Sequence, residues 1–308
     1  MVGGSNPPSP VGAFLGQVNY QTVRYVILRM RLAGFFKIIR PANSIVAGLA
    51  AIVAYLIATG TLVPGVILLM AVVTLITAAG NVINDYFDAE IDLINRPERP
   101  IPSGTVSRNA ALVYAGVLFL LGILISAFTV PLCLAIALFN AFLLVAYAAR
   151  LKSTPFFGNA AVSYLAASIF LFGGALAGGD RLLDMLPVVV ITFLAMLARE
   201  LLKDAEDIDG DRAGGADTLP IRIGVRKTAL LAFIFTVAAV AASMLPYFWW
   251  GVWYLLGIVL VDIIIIVAAF RALGCTDPAR LKAAGSTSLL KMGMFASLVV
   301  FTLSAVYL

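Results

Sequence analysis

The stretch Gly80-Asn-Val-Ile-Asn84-Asp-Tyr-Phe-Asp88-Ala-Glu-Ile-Asp92-Leu-Ile-Asn-Arg96-Pro-Glu-Arg99-Pro-Ile-Pro-Ser-Gly104 begins inside an apolar run and ends as a polar segment. On a helix, Asn84, Asp88 and Asp92 fall at i, i+4 and i+8 along one face, with Asn81 and Asp85 beside that stripe. Carboxylates so placed at the end of a greasy helix lose hydration and repel one another. At about 4 Å and an effective dielectric of about 20, a pair repels by roughly 4 kcal/mol. A cation with oxygen ligands would turn that repulsion into attraction.

Outward from this stretch the chain is apolar. Of 308 residues, 62% are hydrophobic and 12% charged, against roughly 25% charged in soluble domains. The chain reads as an all-α integral membrane protein. Apolar runs at 43–60, 64–84, 107–127, 131–149, 158–178, 185–203, 227–245, 249–270 and 287–307 each approach the roughly 20 residues that cross a bilayer core of about 30 Å. Nine spans put the termini on opposite sides. Residues 1–20 show no signal-peptide pattern and read as a disordered tail, or as an upstream extension of a chain that functionally starts near Met30. Residues 24–40 read as an amphipathic interfacial helix, with Leu32, Phe35, Phe36 and Ile39 on one face and Arg29, Lys37 and Arg40 on the other. Residues 21–308 then form a single transmembrane domain.

Four connections are short: Gly60 to Pro64, Phe128 to Pro131, Gly178 to Asp184 and Pro246 to Trp249. They contain Arg181 alone of the 21 Lys and Arg residues. The other 20 lie on the opposite side, which the positive-inside rule makes cytoplasmic. The N-terminus and the acidic stretch are therefore expected inside and the C-terminus outside, in a multi-pass protein of the cell membrane. Trp249, Trp250, Trp253 and Tyr254 read as an outer aromatic belt.

A second acidic stretch, Arg199-Glu-Leu-Leu-Lys-Asp-Ala-Glu-Asp-Ile-Asp-Gly-Asp211, follows the sixth span. Glu200, Asp204, Asp207 and Asp211 again share one helical face. The two stretches lie about 119 residues apart, after the second and sixth spans. Spans 1–4 and 5–8 therefore read as a duplication that sets the two motifs face to face across a cavity, on cytoplasmic cap loops.

A solvated acidic face is the bland alternative, but Asn84, Asp85 and Asp88 follow directly on a span, where acids are costly. There is no His, which removes imidazole catalysis and His-ligated metals. Carboxylates with water suit Mg²⁺, which takes its remaining ligands from substrate phosphates. Arg96, Arg99, Arg150, Lys152, Arg199 and Lys203 beside the acids suit a diphosphate, though each also fits the positive-inside rule. An apolar body behind a diphosphate grip suggests a long lipid tail. The basic residues fit topology and diphosphate binding, and nothing supports nucleic-acid binding. Asp262, inside the eighth span, reads as a hydrogen-bonded structural acid or as part of an acceptor pocket.

Asn84-Asp-Tyr-Phe-Asp88-Ala-Glu-Ile-Asp92 resembles the NxxxDxxxD motif of the UbiA superfamily of intramembrane prenyltransferases. Asn95 to Gly104 resembles its NRPxRPxxxG continuation. Asp207-Ile-Asp-Gly-Asp211, with Arg212 and Thr218-Leu-Pro220, is similar to its second DxxxD motif. Tyr147-Ala-Ala-Arg-Leu-Lys152, with Pro155, Gly158 and Asn159, looks like its YxxxLK segment. The resemblance covers nearly everything after residue 30, the nine-span layout included.

It implies Mg²⁺-dependent transfer of a prenyl group from a polyprenyl diphosphate to an acceptor. By that resemblance Asn84, Asp88, Asp207 and Asp211 surround metal and diphosphate, and Asp92 and Asp204 support them. Arg99 and Lys152 neutralise the leaving group, with Arg96, Arg199 and Lys203 as further diphosphate cations, and Tyr147 borders the reacting carbon. The wording is most similar to the archaeal ether-lipid branch, which geranylgeranylates the hydroxyl of a geranylgeranylglyceryl phosphate from geranylgeranyl diphosphate. The branches that prenylate quinone precursors or chlorophyll share much of it. A transporter for an anionic lipid is the rival of another class, but it needs polar groups along a route that the outer half lacks.

Overall fold

In this computed structural model residues 32–307 are described. The tail expected over 1–20, and the part of the interfacial helix before residue 32, lie outside them. Among the described residues the chain is helical, with no strand.

Among the described residues nine helices are long and apolar enough to span a membrane. They are Pro41–Thr59, Val66–Phe87, Arg108–Ser126, Pro131–Ala149, Phe157–Ala177, Gly179–Glu206, Val225–Ala242, Tyr247–Leu273 and Ser286–Tyr307, here spans 1 to 9. Local chemistry sets their ends. Pro41 and Pro131 open spans 1 and 4, where a missing N–H costs nothing. Ser107 caps span 3 by accepting from the Ala110 N–H (3.2 Å). Gly60 closes span 1 at φ 70°, its N–H donating to the Leu56 carbonyl.

Two expectations shift. The connection expected from Gly178 to Asp184 is the start of span 6, so Asp180, Arg181 and Asp184 sit in its opening turns. The aromatic cluster divides, because Gly251 (φ 66°) breaks span 8. Trp249 and Trp253 stay exposed, whereas Tyr254 is buried and donates from its hydroxyl to the Ser243 carbonyl (2.6 Å). Trp250 turns inward onto Tyr254, with ring centroids 5.2 Å apart.

Consecutive spans pack as neighbours, span 9 closes against spans 1 and 6, and span 5 crosses span 1. That crossing is tight. A Cβ on Gly173 would lie 2.5 Å from the backbone of Ala54, so only glycine lets the two backbones approach. The core has three clusters. The largest joins spans 1 and 5–9; one joins spans 2 and 3 to the helix over 32–38, and one joins spans 1, 2, 4 and 5. Outward faces carry exposed Val113, Leu120, Phe142, Leu260, Phe270 and Phe295. That apolar girdle suits a bilayer and would be a liability in water. The polar segments expected as cap loops include short helices, Ala89–Asn95 and Ile208–Ala213, at one end of the bundle.

Candidate active site

Both acidic motifs bend where a single straight helical face was expected. Span 2 ends at Phe87, and Asp88 (φ −81°, ψ 0°) joins it to the short helix Ala89–Asn95. Span 6 ends at Glu206, and Asp207 (φ −100°, ψ 8°) joins it to Ile208–Ala213. Hydrogen bonds carry across each bend, from the Asp92 N–H to the Asp88 carbonyl (2.8 Å) and from Asp211 to Asp207 (3.0 Å). The acids keep their four-residue order while the axis turns, so Asp88 and Asp207 stand at corners.

In the first motif every aspartate meets a cation or an amide. Asn84 Nδ2 donates to Asp88 Oδ2 (2.8 Å), and Lys152, on the 3-10 turn Leu151–Ser153, pairs with Asp88 Oδ1. Arg99 Nη1 bridges Asp92 Oδ2 (2.5 Å) and Asp85 Oδ1 (3.2 Å). Arg40 Nη2 donates to the same Asp85 oxygen (2.6 Å). Asp85 and Asp92 are buried, and a buried carboxylate needs such partners. Arg40 adopts φ 48°, a left-handed backbone uncommon for a residue with a side chain. It directs the guanidinium to Asp85 rather than to the polar face of an interfacial helix. Arg40 and Asp85 are thus site residues the motif pattern missed. The signal was available: a carboxylate inside a span requires a partner, and span 1, antiparallel to span 2, begins with an arginine at the same end.

The second motif is matched differently. Asp204 Oδ2 accepts from Asn159 Nδ2 of span 5 (2.7 Å), and Arg199 pairs with its neighbour Glu200. Asp204, Asp207 and Asp211 make no ion pair among the described residues. Burial pushes the Asp211 carboxyl above the usual carboxylate range, and the charge of Asp207 adds to it.

The motifs face each other. The Asp217 N–H donates to the Ser153 carbonyl (3.1 Å), joining the two polar caps. Ile91 Cδ1 lies 3.2 Å from where a Cβ on Gly214 would stand. Tyr147, at the end of span 4, lies within electrostatic reach of Glu200, Asp204, Asp88 and Asp211, hence between the motifs. Below it a cavity of about 400 Å³ runs from Arg40, Asn81, Asn84 and Tyr147 down to Ile76 and Phe172. A second cavity, about 340 Å³, lies among spans 1 and 5–9. Ile169 lines both, so the two cavities adjoin inside the bundle. Arg96 and Lys203, expected as diphosphate cations, are exposed and make no side-chain ion pair among the described residues. Arg99, three positions beyond Arg96, is the cation that turns inward.

Residues 47–299 match the UbiA prenyltransferase family. The chain belongs to this family. As a member it is a multi-pass membrane prenyltransferase, and the fold agrees. It is similar to the digeranylgeranylglyceryl phosphate synthase of Methanoregula boonei, with 76% identity over 279 residues, covering 91% of this chain and 100% of the relative. A solved structure described as digeranylgeranylglyceryl phosphate synthase superposes with a TM-score of 0.82 at 35% identity, over 90% of this chain and 99% of that one. A UbiA homologue from Archaeoglobus fulgidus, bound to DMAPP and Mg²⁺, shares the fold at TM-score 0.61 and 16% identity, over 85% of this chain and 98% of that one.

The donor atoms fit a hard cation. Around the motifs they are carboxylate and amide oxygens without His or Cys, the set that suits Mg²⁺. Among the described residues no three acids converge on one point. The unmatched charge of Asp207 and Asp211 is where a cation would be most strongly drawn.

Proposed function

We propose that this chain transfers a geranylgeranyl group from geranylgeranyl diphosphate to the hydroxyl of geranylgeranylglyceryl phosphate, making digeranylgeranylglyceryl phosphate for ether-lipid synthesis. The observation that carries this reading is the 76% identity to a relative of that name, matched over its whole length. The paired acid motifs above apolar chambers support it chemically.

Asp207 and Asp211, with Asn84 and Asp88 opposite, would hold Mg²⁺, which when bound supplies positive charge to the diphosphate oxygens. Asp92 and Asp204, held by Arg99 and Asn159, orient that set from behind. Lys152 and Arg99 stand ready to neutralise the departing diphosphate. Arg199 offers a further cation to substrate, and Arg96 and Lys203 act from the cap surface. The Tyr147 ring at the chamber mouth would stabilise positive charge developing at C1 by about 1–2 kcal/mol. The acceptor oxygen then bonds to C1 as the C1–O bond to diphosphate breaks, and the hydroxyl proton passes to an Asp or to the leaving diphosphate, since no His exists in the chain.

The acidic end is cytoplasmic in this reading, with the N-terminus inside and the C-terminus outside, because 20 of 21 basic residues lie on that side. The shared bend at Asp88 and Asp207 supports reading spans 1–4 and 5–8 as a duplication.

The test is purified protein with labelled geranylgeranyl diphosphate, Mg²⁺ and a panel of acceptors: geranylgeranylglyceryl phosphate, a quinone precursor and a chlorophyllide. Diphosphate release with an ether product from the glyceryl phosphate is expected. A prenylated ring, or uptake into vesicles without any product, would replace the reading.

A further inference from the structure

The chamber among spans 1 and 5–9 differs from its neighbour in charge. Its walls are mainly apolar, with Phe170, Ile191, Ile258 and Leu298, yet Arg199 of span 6 and Lys291 of span 9 both line it. Arg199 lies seven residues before the end of span 6 and Lys291 five after the start of span 9. Both therefore sit about 8–10 Å from the acidic end of the bundle. Charges at that depth need partners; Arg199 is half-buried, whereas Lys291 is exposed. Arg199 Nη1 pairs with Glu200, but its Nε is buried with no hydrogen-bond partner. Lys291 makes no ion pair among the described residues. Asp262, the one acid in the lining, accepts from the Ser243 hydroxyl instead (2.7 Å). In contrast Arg40, Arg99 and Lys152 are all engaged by the first motif's carboxylates. An unused donor on Arg199 and the unpaired ammonium of Lys291 at the head of an apolar chamber suit a phosphate monoester with a long hydrocarbon chain.

We propose that Arg199 and Lys291 bind the phosphate of the acceptor lipid, whose prenyl chain fills this chamber. The donor chain occupies the neighbouring chamber beneath Asn84 and Tyr147. This rests on the transferase reading above and adds to it a way of choosing the acceptor. Two lipid substrates need two tail sites, and Ile169 lines both cavities. Arg199 adjoins Glu200, whose carboxylate is near Tyr147, so a phosphate held there brings the glycerol hydroxyl toward the reacting carbon. An acceptor without phosphate leaves the Arg199 Nε–H and the Lys291 ammonium without an anion, which is how a polar site rejects an analogue that lacks the matching group.

The test is steady-state kinetics of the full chain in zwitterionic bilayer discs with Mg²⁺ and geranylgeranyl diphosphate. Geranylgeranylglyceryl phosphate is compared with unphosphorylated geranylgeranylglycerol as acceptor. Lys291→Met is expected to raise KM for the phosphorylated acceptor about tenfold or more, the size of one lost charge-assisted hydrogen bond. KM for the donor and turnover of the unphosphorylated acceptor should stay unchanged, and Lys291→Arg should restore the acceptor KM. Arg199→Gln provides an independent variant for the acceptor arm and should also raise KM for the phosphorylated acceptor. An unchanged acceptor KM, as for a lysine that only reaches bulk lipid phosphates, would overturn the inference, as would equal rises for donor and acceptor. Wild-type protein that forms no ether product from either acceptor would overturn the transferase reading instead.

Discussion

The two acid motifs turn their helices at corresponding residues, Asp88 and Asp207, yet their charges are balanced in opposite ways. The first is closed within the chain: Arg40, Arg99 and Lys152 reach Asp85, Asp92 and Asp88 from three other segments. The second is left open: among the described residues Asp204, Asp207 and Asp211 make no ion pair, and Asp204 is held by the Asn159 amide. A corner with its own counterions is ordered before any ligand arrives. A corner without them needs a cation from outside. The first motif therefore reads as the framework and the second as the part that calls for metal, and the comparison can be broken at either corner.

The largest effect is expected at the corners themselves. Asp207→Ala should lower kcat/KM by about 10³-fold or more, with the protein still eluting as a folded species, and Asp88→Ala should do the same. A folded variant of either with near wild-type turnover in saturating Mg²⁺ would remove that residue from the site. The comparison adds a difference: Asp207→Ala should shift the Mg²⁺ concentration for half-maximal activity further than Asp92→Asn does, because Asp92 already has Arg99.

Next is the framework. Arg99→Leu strips Asp85 and Asp92 of their shared buried partner and should cost about 3 kcal/mol of stability, read as a lowered melting temperature in detergent. Lys203→Leu on the open motif should leave the melting temperature nearly unchanged, since Lys203 is exposed and unpaired. Equal losses for the two would erase the distinction between framework and open corner.

Arg40→Leu should fall between these. Its guanidinium is about one-third exposed (34%), and Arg99 still partners Asp85, so a loss of about 1 kcal/mol is expected once solvent screening is allowed for. The smallest effect belongs to Arg222→Ala. The Arg222 and Asp217 side chains are 57% and 50% exposed, and removal of the pair should change neither melting temperature nor turnover.

Much of this was legible beforehand because it depends on local order. Apolar run length marked the nine spans, and four-residue spacing marked Asn84, Asp88 and Asp92. The basic residues beside the acids stood out as phosphate cations, Arg99 and Lys152 foremost; that these two pair with Asp92, Asp85 and Asp88 came from the fold. What spacing could not show was the bend at each motif. Regular i+4 order is the same whether the helix runs straight or turns after Phe87 and Glu206. Nor could it separate Arg96 from Arg99, which lie in one short loop and differ only in which way the chain carries them. Asp85 was visible as an acid beside the stripe; its role was not, because its partner Arg40 lies 45 positions away.

Composition and periodicity by themselves determined that the chain is a bundle of membrane helices with two acidic ends on one side. Burying a span of about 20 apolar residues is favourable whatever its neighbours are. Only the tertiary structure decided which cation meets which acid, that Tyr147 stands between the motifs, and that Arg199 and Lys291 line one cavity. Those contacts join residues as far apart as Asp88 and Lys152, 64 positions along the chain. Helix crossings and the turns at Asp88 and Asp207 set such distances, and an ion pair forms only where packing brings its two charges within a few ångströms.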